Sequence, residues 1–222
     1  NLFPEGESAG LYHTADATLW YFHALDRYLA HTGDTSLLVE LWPGLMDSLG
    51  KHLARQAPFG IGVDPRDGLL TQGQEGFQLT WMDAKVDGDV ITPRRGKAVE
   101  LNALWHRALT LGSTWAASMG GTTVASQLGR AAERVRASFV ERFVHPVTGG
   151  LRDVVDGEDP LDAERIRCNQ LLAISLPEPV LPRERWGAVL GQVERELVTP
   201  VGLRTLARGD GAYRGRCEGE LR

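Results

Sequence analysis

The chain has little cysteine, no excess of positive charge and no long apolar run. Its 222 residues include two cysteines, Cys168 and Cys217, which form no CxxC pair, so neither a disulfide scaffold nor a zinc site is indicated. Lys and Arg total 24 against 29 Asp and Glu, a formal net charge of −5. That balance argues against a nucleic-acid-binding protein, which needs a basic surface. No stretch approaches the roughly 18 apolar residues of a membrane span.

Several standard catalytic motifs are also missing. The sequence contains no Gly-x-Ser-x-Gly elbow, no P-loop, no GxGxxG and no HExxH, which removes the usual signatures of a serine hydrolase, a nucleotide-binding enzyme and a zinc protease. We therefore expect no cofactor, no metal, no nucleic-acid partner and no membrane partner. The low cysteine content favours a reducing, cytoplasmic location.

Hydrophobic periodicity predicts an all-α chain. After a loop over 1–13, a first helix should begin near Thr14 or Asp16, and Gly33 and Asp34 should end it and start the next. The second helix should cover 37–54, with a break at Pro43. Further helices are predicted over 96–111, 122–143, 169–175 and 183–197.

A weak repeat follows three of the helices. Each has a loop that contains Pro and, a few residues later, Gly-Leu, at 65–69, 146–151 and 200–203. The spacing is irregular, which argues against a TPR or HEAT array. It favours helical hairpins whose elaborated loops carry the chemistry.

The segment 76–85 is the most unusual part of the sequence. It places Trp81 and Asp83 together in a Gly-flanked stretch. Tryptophan faces stack on sugar rings, and a carboxyl beside an apolar wall has the raised pKa of a general acid. The alternative is a core tryptophan beside an aspartate that caps a turn.

Three further polar clusters allow both a sugar-binding and a structural interpretation. Asp16 and Trp20 are four residues apart and share a helix face, but Asp16 could equally be a cap. The second cluster, 100–105, begins a helix whose dipole an acidic residue stabilises without any function. The third, 167–170, could recognise hydroxyls or attach a loop to a helix.

These segments resemble a known family. The motifs at 12–24, 79–85, 99–105, 153–156 and 167–170 are similar, in the same order, to the C-terminal amylo-α-1,6-glucosidase region of prokaryotic glycogen debranching enzymes. The likeness covers essentially the whole chain, and Thr-Trp-Met-Asp-Ala-Lys is its most specific motif. Cys168 stands where the family commonly has Pro.

The resemblance implies an (α/α)6 six-hairpin barrel and glycoside hydrolysis. This chain would form one incomplete barrel domain over 1–222, truncated at both ends and holding half to two-thirds of the ring. The implied reaction is inverting hydrolysis of α-1,6-linked glucose at branch points of glycogen or another branched α-glucan, and this piece alone should be inactive.

The resemblance also implies site roles. Asp83 matches the general acid. The base is expected beyond Arg222, with Glu218, Glu220 and Glu100 as weaker candidates. The residues expected to bind substrate are Asp16, Trp20, Gln78, Trp81, Lys85, Glu100, Asn102, Trp105, Arg167, Asn169 and Gln170.

Two alternatives remain at this point. One is a related six-hairpin glycosidase with another linkage preference, such as a trehalase-like or α-glucosidase-like enzyme. The other is a non-catalytic glucan-binding fragment.

Overall fold

A computed structural model describes residues 13–216 as a mainly helical chain. Positions 1–12 and 217–222, with the expected N-terminal loop and Cys217, Glu218 and Glu220, lie outside the described residues. The α-helices are α1 (Ala17–Thr32), α2 (Thr35–Leu53), α3 (Val99–Ser118), α4 (Thr122–Phe143), α5 (Leu172–Ser175) and α6 (Trp186–Glu196). Short 3-10 helices cover Pro160–Ala163, Cys168–Leu171 and Arg183–Arg185. None of these helices, within the part described, combines the length and apolar character that crossing a membrane requires.

Two-residue strands form four antiparallel pairs in the loops of the described chain. They are β1 (Gly62–Val63) with β2 (Leu70–Thr71), β3 (Lys85–Val86) with β4 (Asp89–Val90), β5 (Lys97–Ala98) with β6 (Val154–Val155), and β7 (Val198–Thr199) with β8 (Gly202–Leu203). The predicted helical character is therefore confirmed, with short hairpins added between the helices.

The junction between α1 and α2 forms as its residues predict. Gly33 adopts a left-handed conformation with φ of 68°, and its N–H donates to the Leu29 carbonyl. The Asp34 side chain accepts from the Ser36 N–H and caps α2. Glycine removes the steric cost of the left-handed turn, and the carboxylate satisfies a free N–H of the next helix.

The predicted break at Pro43 is wrong, because α2 continues through it. Leu45 and Leu49 hold the helix on the core, whereas Pro43 lies on the exposed face. A proline frees the carbonyl four residues earlier. That residue is Val39, which is 62% exposed, so water can replace the lost partner.

Helix α3 lies at the centre of the helical packing. It contacts α1, α4 and α5, while α2 packs on α1, and α6 packs on the 3-10 helix that precedes α5. Its buried residues occupy every side of the helix from Val99 to Leu109. Helix α3 is thus enclosed by the other described helices that pack around it.

The Pro and Gly-Leu loops follow α2, α4 and α6. The loop after α2 closes the β1–β2 hairpin, the loop after α4 closes the bridge between Val144 and Leu151, and the loop after α6 closes β7–β8. The weak sequence repeat therefore corresponds to a repeated unit, in which a helix is followed by a tight antiparallel turn.

The β5–β6 pair positions the candidate site. Lys97 pairs with Val155 and Ala98 with Val154, and the Val99 N–H donates to the Asp153 carbonyl at 3.0 Å. This ladder brings the loop before α3 against the segment after α4, so charged residues far apart in sequence become neighbours.

Candidate active site

A buried arginine holds two carboxylates at the centre of the site. Arg94 is 1% exposed, and its guanidinium donates to both oxygens of Glu100, at 2.5 and 2.7 Å, and of Asp153, at 2.7 and 2.8 Å. Burial alone would lower the pKa of Arg94, but Asp153 and Glu100 outweigh it and raise the pKa above its ordinary value. Arg94 therefore stays charged despite its burial.

Local backbone geometry explains how these groups meet. Arg94 has φ of +42° and lies in the loop before β5. Glu100 is in the first turn of α3, where its carboxylate also stabilises the positive end of the helix dipole. Asp153 directly precedes β6.

Trp81 joins this cluster through Asn169. The indole Nε1–H of Trp81 donates to Asn169 Oδ1 at 3.0 Å, and Asn169 Nδ2 donates to Asp153 Oδ1 at 3.1 Å. Asn169 is buried, whereas Trp81 is 48% exposed. Trp81 therefore offers a flat open ring whose polar edge is bound to a buried charge cluster.

Arg167 and Gln170 complete the wall on the side of the 3-10 helix. Arg167 Nε lies 3.2 Å from Asp153 Oδ2. Burial lowers the pKa of Arg167, and Asp153 opposes that shift. Gln170 Nε2 donates to the Arg167 carbonyl at 3.0 Å, while its Oε1 is buried with no partner among the described atoms.

Asp16 is another buried carboxyl in this region. It directly precedes α1, but its side chain makes no capping hydrogen bond. Burial is the main cause that raises the pKa of Asp16; backbone hydrogen bonds, one of them from Trp81, oppose it, and Glu100 adds to it. The segment that leads into α1 is joined to the loop before Trp81, since the Ala15 N–H donates to the Leu79 carbonyl at 2.7 Å. Trp20, one turn later, is 39% exposed.

Asp83 lies just beyond Trp81 on the exposed stretch that leads into β3. Lys85, also exposed, donates from Nζ to the Gly76 carbonyl at 3.2 Å, and Gln78 is half-buried on the same loop. Thr92 Oγ1 donates to the Met82 carbonyl at 2.9 Å and closes the base of the β3–β4 hairpin. Asp83, two residues after Trp81, is therefore open to solvent.

Asn102 and Trp105 lie on another side of α3 from Glu100. Asn102 accepts from the Leu70 N–H at 2.7 Å and donates to the Leu70 carbonyl at 3.0 Å. The fully buried Trp105 donates to the Gly68 carbonyl at 3.3 Å and stacks on His52. Both side chains hold the β1–β2 hairpin on α3, and the structure does not bring them to the Arg94 cluster.

Motif analysis gave no role to Arg94 or Asp153. Arg94 lies in a charged stretch outside the motifs, and Asp153 is the first residue of the 153–156 motif, for which no role was assigned. The available signal was the Arg-Arg-Gly-Lys run immediately before the most apolar part of α3, because cations at the start of a buried helix require buried carboxylates as partners.

A second charge cluster lies at the other end of the β5–β6 pair. Lys97 Nζ is 2.9, 2.6 and 2.7 Å from carboxylate oxygens of Asp64, Asp67 and Asp156. These three carboxylates, which lie within 4.8 Å of one another, have the donor type of a cation site. The Lys97 ammonium occupies its centre, so this cluster is a structural clamp.

The first cluster has the chemistry of polyhydroxyl recognition. An open indole face suits the apolar face of a pyranose, and the carboxylates, guanidinium groups and amide around it are donors and acceptors for hydroxyls. Asp83, two residues along the chain from that ring, has a solvent-accessible carboxyl.

Comparison with known proteins agrees with this chemistry. A sequence model of the amylo-alpha-1,6-glucosidase family matches residues 1–222, the whole chain, and the chain therefore belongs to that family. No curated protein matches the chain significantly.

Proposed function

We propose that this member of the amylo-alpha-1,6-glucosidase family hydrolyses α-1,6-linked glucose at branch points of glycogen or a related branched α-glucan, with inversion at the anomeric carbon. The observation that carries the proposal is the open Trp81 ring, hydrogen-bonded into a buried cluster of carboxylates and lying two residues from the exposed Asp83.

In this proposal the terminal glucose stacks on Trp81. The partly exposed Trp20 extends the apolar wall, and Asp16 and Arg167 provide hydroxyl contacts from the two sides. Glu100 contributes mainly negative charge, since Arg94 already holds both of its oxygens.

Asp83 is proposed as the general acid. It would protonate the glycosidic oxygen as the bond to the glucan chain breaks, and this requires a carboxyl that is still protonated near neutral pH. A bound glucan would cover the exposed side chain and exclude water from it. Lys85 Nζ is engaged by the Gly76 carbonyl, which draws this cation to the loop.

An inverting enzyme needs a second carboxylate about 6.5–9.5 Å away to activate water. Glu100 and Asp153 are poor candidates, because Arg94 already donates hydrogen bonds to both oxygens of each carboxylate. We therefore place the base outside the described residues, beyond Arg222.

The helix packing supports the proposed (α/α)6 architecture. The chain holds three successive helix pairs: α1 contacts α2, α3 contacts α4, and α6 contacts the 3-10 helix that leads directly into α5. Three pairs amount to half of a six-hairpin ring, the lower end of the range that the sequence predicts.

Glucose release from a branched limit dextrin by the full-length protein tests the proposal. We expect release, with β-glucose as the first anomer seen by NMR, because inversion of an α-linkage gives the β-product. Faster turnover of trehalose or linear α-1,4 oligosaccharides would instead indicate a related glycosidase. Glucan binding without release of glucose would indicate a binding module.

A further inference from the structure

The contacts of Asn169 lead beyond its expected role as a ligand of sugar hydroxyls. We propose that Asn169 is a positioning residue, which fixes the Trp81 indole as the stacking surface for a glucose ring and is itself oriented by Asp153. The inference rests on the proposed function and specifies how its site is built.

The amide of Asn169 is fully used by the protein. An asparagine amide offers two donor hydrogens and two acceptor lone pairs. Oδ1 accepts from the Trp81 indole at 3.0 Å and contacts Cys168 Sγ at 3.9 Å. Nδ2 donates to Asp153 at 3.1 Å and to Met82 Sδ at 3.5 Å. A sugar hydroxyl would have to displace one of these contacts in a side chain that is 2% exposed.

The orientation of the amide follows from charge. An ionised carboxylate only accepts hydrogen bonds, so Asp153 requires the NH₂ group of Asn169 to face it. Asp153 is the carboxylate partner of two cations, since Arg94 donates to both of its oxygens and Arg167 Nε lies 3.2 Å away. The amide oxygen is then left facing Trp81.

Trp81 is the exposed end of the chain of contacts that runs from Arg94 through Asp153 and Asn169. Trp81 has half of its surface open, yet its Nε1–H is bound to a buried group. An indole held by its edge loses little further freedom when a sugar stacks on it, so the hydrogen bond improves binding through preorganisation. A residue that acts this way should affect substrate binding, measured by KM or Kd, more than kcat.

A double-mutant cycle in the full-length protein separates positioning from direct contact. Trp81→Phe keeps an aromatic face but removes the N–H, and Asn169→Ala removes the acceptor. We expect each variant to raise the KM for branched limit dextrin about fivefold, the effect of one net hydrogen bond, with kcat nearly unchanged. Because both remove the same interaction, the double variant should resemble either single variant. If the fold-increases in KM of the two single variants multiply in the double variant, Asn169 contacts the substrate itself and the proposal is overturned.

Trp186→Phe is the matched control. Its indole N–H donates to the Leu181 carbonyl at 2.9 Å, in a loop that precedes α6. The variant should lose a comparable hydrogen bond and leave the KM for limit dextrin unchanged. The double variant Trp186→Phe/Asn169→Ala should therefore have the same KM as Asn169→Ala alone.

The wild-type protein provides a test that does not depend on variant folding. The indole N–H signal of Trp81, assigned by its absence from the NMR spectrum of Trp81→Phe, should exchange slowly with solvent despite the exposed ring. Exchange as fast as that of free tryptophan would overturn the proposal.

The proposed activity and the positioning role fail in different ways. If the wild-type protein releases no glucose but binds the dextrin, the activity is wrong, and the cycle is read from Kd by calorimetry with the same expected non-additivity. If it neither cleaves nor binds dextrin, both proposals are wrong.

Discussion

Arg94 and Asp153, 59 residues apart in sequence, form a fully buried bidentate ion pair with N–O distances of 2.7 and 2.8 Å. The pair joins the loop before α3 to the segment before β6. Arg94 also donates hydrogen bonds to both carboxylate oxygens of Glu100. The stability of the fold and the geometry of the site thus depend on the same guanidinium group.

Replacing Arg94 should therefore be costly. Arg94→Met leaves two buried carboxylates without their main partner, and we expect it to lower the free energy of unfolding by about 3–5 kcal/mol. The adjacent Arg95 is the matched control, because it pairs at 3.0 Å with the exposed Glu158. Arg95→Met should cost less than about 1 kcal/mol. Urea unfolding of the two variants measures the difference, and equal losses would contradict the central position of Arg94.

Local signals in the sequence predicted most of the helices. Helix α4 covers 122–143 as expected, and the cap residues Gly33 and Asp34 act as expected. Helix α3 begins at Val99 rather than at 96, because Lys97 and Ala98 pair with β6. It also extends past 111 to Ser118, where Gly112 packs closely against Leu49 and Leu128. Both differences come from tertiary contacts that local propensity does not contain.

The sequence also predicted part of the candidate site, and again missed what depends on tertiary contacts. Glu100, Trp81 and Asn169 were found from their motifs, and the structure brings them to one cluster. Asn102 is separated from Glu100 by about 200° around α3, at roughly 100° per residue, so helical geometry alone could have placed it on another face. The partnership of Arg94 with Asp153 depends on a long-range strand pairing and has no local signature.

Stability should fall with acidification because of a buried histidine. Burial, followed by the charges of Arg136 and Arg107, lowers the pKa of His106 to about 4. Its ordinary value in the unfolded chain is about 6.5. Below that value the unfolded state binds the proton first, so stability should decrease as the pH falls from about 6.5 to 4, by up to about 3 kcal/mol.

His106→Gln should flatten this dependence, since glutamine does not titrate. His52, whose pKa burial also lowers, remains and should leave a residual slope. His31→Gln, at an exposed position on α1, is the control and should keep the wild-type slope. The measurement is urea unfolding at several pH values between 4 and 7. An unchanged slope in His106→Gln would show that His106 is not the responsible group.

Two glycines should respond to alanine with opposite signs. Gly96 lies between Arg94 and Lys97 with φ of +121°, and a Cβ there would lie 2.9 Å from the Asp156 carbonyl oxygen. We expect Gly96→Ala to cost about 2 kcal/mol or more, through backbone strain and displacement of β6. Gly191, inside α6, has no atom within 4 Å of the added Cβ. Gly191→Ala should stabilise the protein by about 0.5–1 kcal/mol. Thermal unfolding midpoints measure both changes, and a shift in the same direction for the two variants would contradict this account.

Asp83 gives the most direct test of the proposed chemistry. Asp83→Asn keeps the size of an exposed side chain, so the unfolding midpoint should not change. Loss of a general acid should lower kcat on limit dextrin by about 10²–10⁴-fold. The loss should be much smaller with α-glucosyl fluoride, because fluoride departs without protonation. That difference between substrates identifies the missing step as proton donation to the leaving group.

Asp89→Asn is the matched control for Asp83→Asn, since Asp89 is an exposed carboxylate on the same hairpin and pairs with Val86 through the backbone. It should keep the wild-type rate on both substrates. Equal losses on dextrin and fluoride in Asp83→Asn would assign Asp83 to binding or to water activation, because neither role depends on the leaving group. Full retention of the rate on dextrin would remove Asp83 from the mechanism. Asp16 would then be the next candidate for the general acid, because it lies at the Trp81 loop and burial raises its pKa.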